Sequence, residues 1–240
     1  MSDHGFRAPF SVLVSDAIPE LHLCASSDAF QCFPLYTYNE DGSGRRENIT
    51  DWALAQFRAR YGEGVAKRDI FHSVYALLHH PEYRTKYAEN LRRELPRVPF
   101  VADAEAFRAF VAAGETLTAL HLGYEAAPEA KLDWQTAAGA KPSALYHVRK
   151  MKLTKDKTAV VVNDALTLAG LPPATHEYRL GNRSALDWII DQYQIKTDAR
   201  SGITSDPNRA DDPQYIVRLI GRVVTVSVET VAIVAGLPPL

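Results

Sequence analysis

Between Ile49 and Leu122 four helix-period segments follow one another with only short breaks, and this series restricts the fold more than any other feature. Segments of that kind stay folded only when each buries its apolar stripe against a neighbour. "ITDWALAQFRARYG" sets Trp52, Leu54, Ala55 and Phe57 near one face, with Thr50 as N-cap and Gly62 as stop. "KRDIFHSVYALLHH" repeats Ile70, Phe71, Val74, Leu77 and Leu78 at helical spacing and ends before Pro81. "PEYRTKYAENLRREL" opens with proline at the first helical position, where a missing N–H costs nothing, and stops before Pro96. "DAEAFRAFVAAGETLTALHLGY" takes Asp103 as cap and turns Phe107, Phe110, Val111, Leu117 and Leu120 inward.

On either side the pattern changes to period two. The first forty residues hold β-prone "FSVLV" and "CFPLYTY" among Pro9, Pro19 and Pro34, which predicts a small N-terminal sheet. "LYHVRKMKLT" and "TAVVVND" flank the charged turn "KDK" and read as a β-hairpin. Strand geometry would put Tyr146, Val148, Lys150 and Lys152 on one face of it, and His147, Arg149, Met151 and Leu153 on the other. "EYRLGNRSALDWIIDQYQ" then gives a turn and a helix of roughly Ser184 to Tyr193. After the turn-rich "DARSGITSDPNRADDP", "QYIVRLIGRVVTVSVETVAIVAGL" reads as a last helix, with strand as the competitor because so many residues are β-branched. The expected fold class is α+β: a mixed helical domain with a small N-terminal sheet and a central β-hairpin. It would be one recognition domain over residues 1–240, in which 1–45 is β-rich, 46–125 is helical, and 140–240 holds the hairpin and further helices.

Composition excludes several classes. No apolar run approaches the ~20 residues of a membrane helix, so no membrane partner is expected. The N-terminus lacks the charged, apolar and small-residue pattern of a signal peptide. Cys24 and Cys32 fit neither a redox pair nor half a zinc site; they read as two small buried side chains in a reducing, cytoplasmic protein. A net charge of −2 argues against a generally basic chain. Charge is nevertheless segregated: residues 141–160 carry six cations against Asp156 alone, while residues 101–140 carry six acids against Arg108 and Lys131.

Catalytic signatures are sparse. The phosphate loop GxxxxGK[ST], the zinc motif HExxH and the elbow GxSxG are all missing. "GSGRRE" starts like a dinucleotide turn but has no third glycine. His79 and His80 point apart on a helix end, where they would complement the dipole. Asp187 and Asp191 share a face, but Asp187 sits where a Ser184 cap wants a carboxylate. "PEAKLD" supplies a Glu-x-Lys that, with Asp103, leaves a small metal-dependent nuclease (Asp103, Glu129, Lys131) as a third reading.

Binding chemistry is better represented. A cationic ribbon and Asn-Arg pairs in loops are groups that grip phosphates through charge and directed N–H donors. Asn and Arg are also suited to base edges. The candidates are Arg149, Lys150, Lys152, Lys155 and Lys157 on the ribbon, Arg179, Asn182 and Arg183 before the helix, Asn208 and Arg209 after it, and Arg45, Arg46 and Asn48 near the N-terminus. No catalytic residue and no metal ligand is assigned. A helical scaffold that docks another protein is the alternative.

Several stretches together resemble the C-terminal target-recognition (specificity) domain of type ISP restriction-modification enzymes. They are "QCFPLYTY", "RRENITDWAL", "YALLHHPEYRTKYAENLRRELPRVPF", "HLGYE", "LTKDKTAVVVND", "EYRLGNRSALDWIIDQYQ" and "SGITSDPNR" with "DDPQYIVRLIGRVVTVSVETV", in order from about residue 31 to 240. Members of that family join a nuclease, a helicase motor, an adenine-specific methyltransferase and this domain in one polypeptide that serves phage defence. The resemblance implies sequence-specific recognition of double-stranded DNA in a prokaryotic cytoplasm, without catalysis by this chain. S-adenosylmethionine, ATP and magnesium would belong to the methyltransferase and helicase-nuclease partners, fused or separate. It also implies that base readout lies in stretches outside the resemblance, such as "DGSGRR" and "APEAKLDWQTAAGAKPSALYH".

Overall fold

In the computed structural model, which describes residues 9–19 and 31–240, the chain divides into two compact units. The first comprises Met1–Leu122 with Ala232–Leu240, and the second Gly123–Val231. The first is helical. Thr50 accepts from the amide of Ala53 and caps α1 (Asp51–Tyr61), which Gly62 ends at φ 107°. Capping fixes the phase of α1 so that Leu54, Phe57 and Tyr61 face the core. Trp52, expected on that face, is 74% exposed instead. Next come α2 (Lys67–Leu77), α3 (Pro81–Lys86) and α4 (Ala88–Leu91). The single helix read from Pro81 to Leu95 breaks at Tyr87, whose φ −107° and ψ 18° leave the helical region. Helix α5 (Ala104–Leu122) is capped by Asp103, which accepts from the amides of Glu105 and Ala106.

The N-terminal sheet is minimal: β1 (Tyr36–Thr37) pairs antiparallel with β2 (Arg46–Glu47). "FSVLV" is not a strand. Phe10, Val12 and Val14 lie without a ladder against the helical core, so their alternation serves packing on helices rather than pairing. Cys32 is exposed, contrary to the buried reading, and Cys24 lies outside the described residues. His79 and His80 do not act as exposed cations at a helix end. His79 is buried, with Nδ1 2.8 Å from the carbonyl of Tyr75; His80 caps α3 by accepting from the amide of Glu82.

The second unit is built on a four-stranded antiparallel sheet in the order β3-β6-β5-β4, from β3 (Asp133–Thr136), β4 (Lys152–Leu153), β5 (Ala159–Val161) and β6 (Leu166–Ala169). Its inner face buries Val160, Val162, Leu166 and Leu168. The predicted hairpin is β4–β5, in register Lys152↔Val161. Its first arm is far shorter than expected, because short α6 (Pro142–Leu145) and an irregular segment occupy 142–151. Val148 and Met151, three apart, are both buried there while Arg149 and Lys150 are both exposed, so the two-face alternation fails.

A two-stranded hairpin, β7 (Arg179–Leu180) with β8 (Arg183–Ser184), leads into α7 (Ala185–Gln192). A second, β9 (Lys196–Thr197) with β10 (Thr204–Ser205), occupies the turn-rich segment. The last helix, α8 (Tyr215–Ala235), is helical throughout despite its β-branched residues. Burial of Ile216, Leu219, Ile220, Val223 and Val224 along one stripe outweighs their modest helix propensity.

Candidate nucleic-acid interface

In the second unit the cationic residues fall into two electrical classes. Those of the β7–β8 turn are already engaged. Arg183 Nη1 lies 3.0 Å from Asp191 Oδ2 and its guanidinium sits 5.3 Å from the Trp188 ring centre. Arg179 Nη2 donates to the carbonyl of Asn182, and Gly181 supplies the φ of 68° that closes this turn. The Trp188 indole N–H donates to the carbonyl of Leu180, pinning the turn onto α7. Ser184 and Asp187 form the reciprocal capping box, so Asp187 is spent on the helix start. Asp191, which shares a helical face with Asp187, pairs with Arg183 and lies 3.8 Å from Lys196.

The ribbon cations differ. Among the described residues, Arg149, Lys150, Lys152, Lys155 and Lys157 are exposed and have no carboxylate within ion-pair distance. Lys155 and Lys157 stand in the β4–β5 turn, closed by the Lys157 amide donating to the Thr154 carbonyl. Lys157 takes φ 60°, rare for a residue with a side chain, and its carbonyl accepts from His176 Nε2. Asp156 is turned into the loop: bonds from Thr154 and Thr158 hold its carboxyl below the usual range. Lys152 lies on β4, an edge strand of the sheet, where a lysine also discourages edge-to-edge pairing.

Asn208 is engaged by the chain's own backbone. Its Oδ1 accepts from the amide of Val148 and its Nδ2 donates to the carbonyl of Val148, each at 2.8 Å. Nδ2 also reaches Asp206, so both ends of the amide are committed. The clamp holds the segment that presents Arg149 and Lys150. Asn208→Ala should therefore cost about 2 kcal/mol, since the Val148 peptide would lose both partners. Chemical denaturation of the variant checks this. Arg209 stacks 3.3 Å over the Tyr215 ring centre, with no carboxylate partner among the described residues. The Tyr215 hydroxyl donates to Glu125, which also accepts from Tyr124. Burial, aided by that carboxylate, pushes the Tyr124 phenol up to about 12.

In the first unit, Arg45 lies over the Tyr36 ring at 4.8 Å and Arg46 is exposed on β2. Asn48 is a structural tie: its side chain donates to the carbonyl of Pro34 and its amide to that of Leu35. Asp103, the third-reading carboxylate, caps α5, while Glu129 of the second unit pairs with Arg222 at 3.6 Å. Among the described residues no group of three His, Cys, Asp or Glu side chains is placed to hold a metal ion. No helix among them is long and apolar enough to cross a membrane.

The residue reading missed the β9–β10 hairpin. It is tied at one foot by the Ile195 amide donating to the carbonyl of Arg149. Its signal was present: "KTDARSGITS" places threonines on both arms around Ser201-Gly202. The hairpin carries Arg200 and Ile203 beside the segment that presents Arg149 and Lys150.

The family model for the type ISP C-terminal specificity domain matches residues 1–219. The chain belongs to that family. Three solved structures are similar to this specificity domain. One is a nuclease-deletion mutant of the type ISP restriction-modification enzyme LlaGI in complex with a DNA substrate mimic, with 34% identity, TM-score 0.78, and coverage of 99% of this chain and 20% of that one. A second is the ATP-dependent type ISP restriction-modification enzyme LlaBIII bound to DNA, with 33% identity, TM-score 0.73, and coverage of 85% and 13%. A third is a cryo-EM DrdV–DNA complex, with 40% identity, TM-score 0.83, and coverage of 96% and 23%. The specificity domain thus spans less than a quarter of each of these chains. No curated protein matches it.

Proposed function

We propose that this specificity domain recognises a sequence in double-stranded DNA for a type ISP restriction-modification enzyme, and that it performs no catalysis itself. The observation that carries the reading is the row Arg149–Lys157, exposed cations without carboxylate partners among the described residues, in a family whose similar structures are solved on DNA. Arg149, Lys150, Lys152, Lys155, Lys157 and Arg209 would take phosphates, and Arg45 and Arg46 would be separate candidates for polar contacts in a groove. Arg179 and Arg183 would position the β7–β8 turn and add at most a backbone contact, because both already have partners. Asn208 and Asn48 act through the backbone geometry they hold, and Asn182, exposed in the β7–β8 turn, would be a polar contact in a groove. S-adenosylmethionine, ATP and magnesium would act on methyltransferase and helicase-nuclease domains outside this chain.

The test is selection of bound duplexes from a random pool, followed by a salt titration on the enriched duplex. Each phosphate contact should contribute roughly −0.9 to the log-log slope of affinity against salt. Neutralising Lys150, Lys152 and Lys155 together to Gln should flatten that slope by about 2.7. A flat titration of the unaltered chain, or an unchanged slope in the triple variant, would overturn the assignment.

A second reading, a docking scaffold for the rest of the enzyme, draws on Trp52, Leu95 and Phe100, large side chains exposed on the first unit. Charge reversal at Lys152 and Lys155 separates the two. Loss of DNA binding with assembly intact favours recognition, and the opposite result favours docking.

A further inference from the structure

We propose that the β9–β10 hairpin is a finger that enters a DNA groove, with Ile203 making an apolar contact to the bases and Arg200 holding an adjacent phosphate. The inference rests on the DNA reading above and adds an element that the cationic ribbon does not include.

Ile203 is 70% exposed. A single exposed isoleucine is ordinary on a protein surface. This one differs in how firmly the backbone beneath it is held. Asp198 Oδ1 accepts from the amides of Arg200 at 3.1 Å and Ser201 at 2.6 Å. The Asp198 carbonyl accepts from Gly202, and its amide donates to the carbonyl of Ile203. Gly202 takes φ 71°, and a Cβ there would meet nothing within 4 Å, so the glycine serves the backbone turn rather than a close approach. Across the ladder the hydroxyls of Thr197 and Thr204 lie 2.9 Å apart. The finger is therefore ordered before any ligand arrives, which removes the entropic cost of arranging a loop on binding.

Its tip carries a cation. Arg200 is exposed at the tip and has no carboxylate within ion-pair distance among the described residues. Of the nearby acids in sequence, Asp198 and Asp206 are each turned onto amides of their own loop, which holds both carboxyls below their usual range, Asp212 pairs with Arg218, and Asp211 is exposed. Through the Ile195–Arg149 hydrogen bond, the finger's foot sits on the same segment that presents Arg149 and Lys150. An apolar tip on a rigid stem, with Arg200 free beside it and Arg149 and Lys150 on the segment at its foot, matches what a groove offers: phosphates at its rims and apolar surface, such as the thymine methyl or an opened base step, at its floor. A protein partner would also accept Ile203, and the test keeps that outcome separate.

The experiment uses the whole 240-residue chain and the duplex enriched from the random pool. Ile203→Ala should weaken binding about tenfold at every salt concentration and leave the salt slope unchanged, because the lost apolar burial involves no counterion. Arg200→Gln should instead flatten the slope by about 0.9. Thermal unfolding of both variants should match the unaltered chain, which excludes loss of the fold as the cause. If Ile203→Ala binds the duplex as tightly as the unaltered chain, the finger does not enter DNA, and the residue is left for a protein contact. If the unaltered chain enriches no duplex, the DNA reading itself fails, an outcome visible before any variant is made.

Discussion

Alanine at position 114 should destabilise the protein by about 3 kcal/mol, the upper end of what one added methyl does in a packed interior. Gly114 lies buried in α5, and a Cβ built on it would stand under 3.0 Å from the backbone carbonyl of His72 in α2. A side chain in its place could rotate away; a backbone carbonyl cannot. The helices would have to part, loosening Ile70, Phe110 and Leu117, which lie in the buried core of this unit. Alanine's better helix propensity returns about 1 kcal/mol, so the net loss understates the steric term. Gly221 in α8 is the control, since a Cβ there meets Glu129 Cβ at 3.4 Å and the Ala130 backbone at 3.6 and 3.7 Å, all ordinary contact distances. Gly221→Ala should leave the urea midpoint level or slightly raised, whereas Gly114→Ala should lower it with the m-value unchanged. Equal midpoints for the two variants would remove the close helix approach as an explanation.

That close approach marks the limit of what was legible in the chain. Helix existence was readable because caps and breaks are local: Thr50, Gly62, Pro81, Asp103 and Ser184 each act on backbone within four residues, and each lies at a helix boundary. Which face turns inward was less readable. Hydrophobicity alone places Trp52 in the core, yet Leu54, Phe57 and Tyr61 pack there and Trp52 is exposed. The sheet was half seen. "TAVVVND" is a buried strand with a strong signal, but β3 is four residues long and is stabilised by pairing with β6, thirty or more residues away.

The same distinction governs the site. Charge is legible in a sequence; whether a charge is free is not. Arg183 and Lys155 look alike as letters, and only the fold shows Asp191 and Trp188 closing on the first. Asn208 illustrates the point most sharply, because its partner Val148 is sixty residues away. The Asn-Arg pair read as a DNA contact is half clamp and half cation: Asn208 fastens the backbone, and Arg209 lies on a tyrosine ring with no carboxylate partner among the described residues. The family resemblance names the family without distinguishing these placements.

Lowering the pH from 7.5 to 5 should cost the protein about 2 kcal/mol through His79, with His121 adding in the same direction. Burial is the main cause of the shift in His79, helped by Arg84 and His121 and opposed by the bond to the Tyr75 carbonyl, and it takes the imidazole to about 3. Burial likewise takes His121 to about 4. The unfolded chain protonates these rings near pH 6.5, so between that value and pH 3 it binds more protons than the folded chain. Stability is therefore complete above pH 6.5 and declines as pH falls from there. The two rings lie 5.5 Å apart, and His121 Nδ1 is 2.6 Å from the Tyr75 hydroxyl, so a proton on either ring meets the other in a dry surround. Carboxylates with lowered values, such as Asp41 and Asp51, lose their contribution only below their ordinary 3.8, outside this window. His72, also lowered by burial, acts in the same sense as the other two. Urea unfolding at pH 7.5 and 5.0 measures the sum, and His79→Leu should shrink the difference by about 2 kcal/mol. A stability that is level across that interval would mean that the His79 and His121 rings accept protons in the folded chain as easily as in the unfolded one.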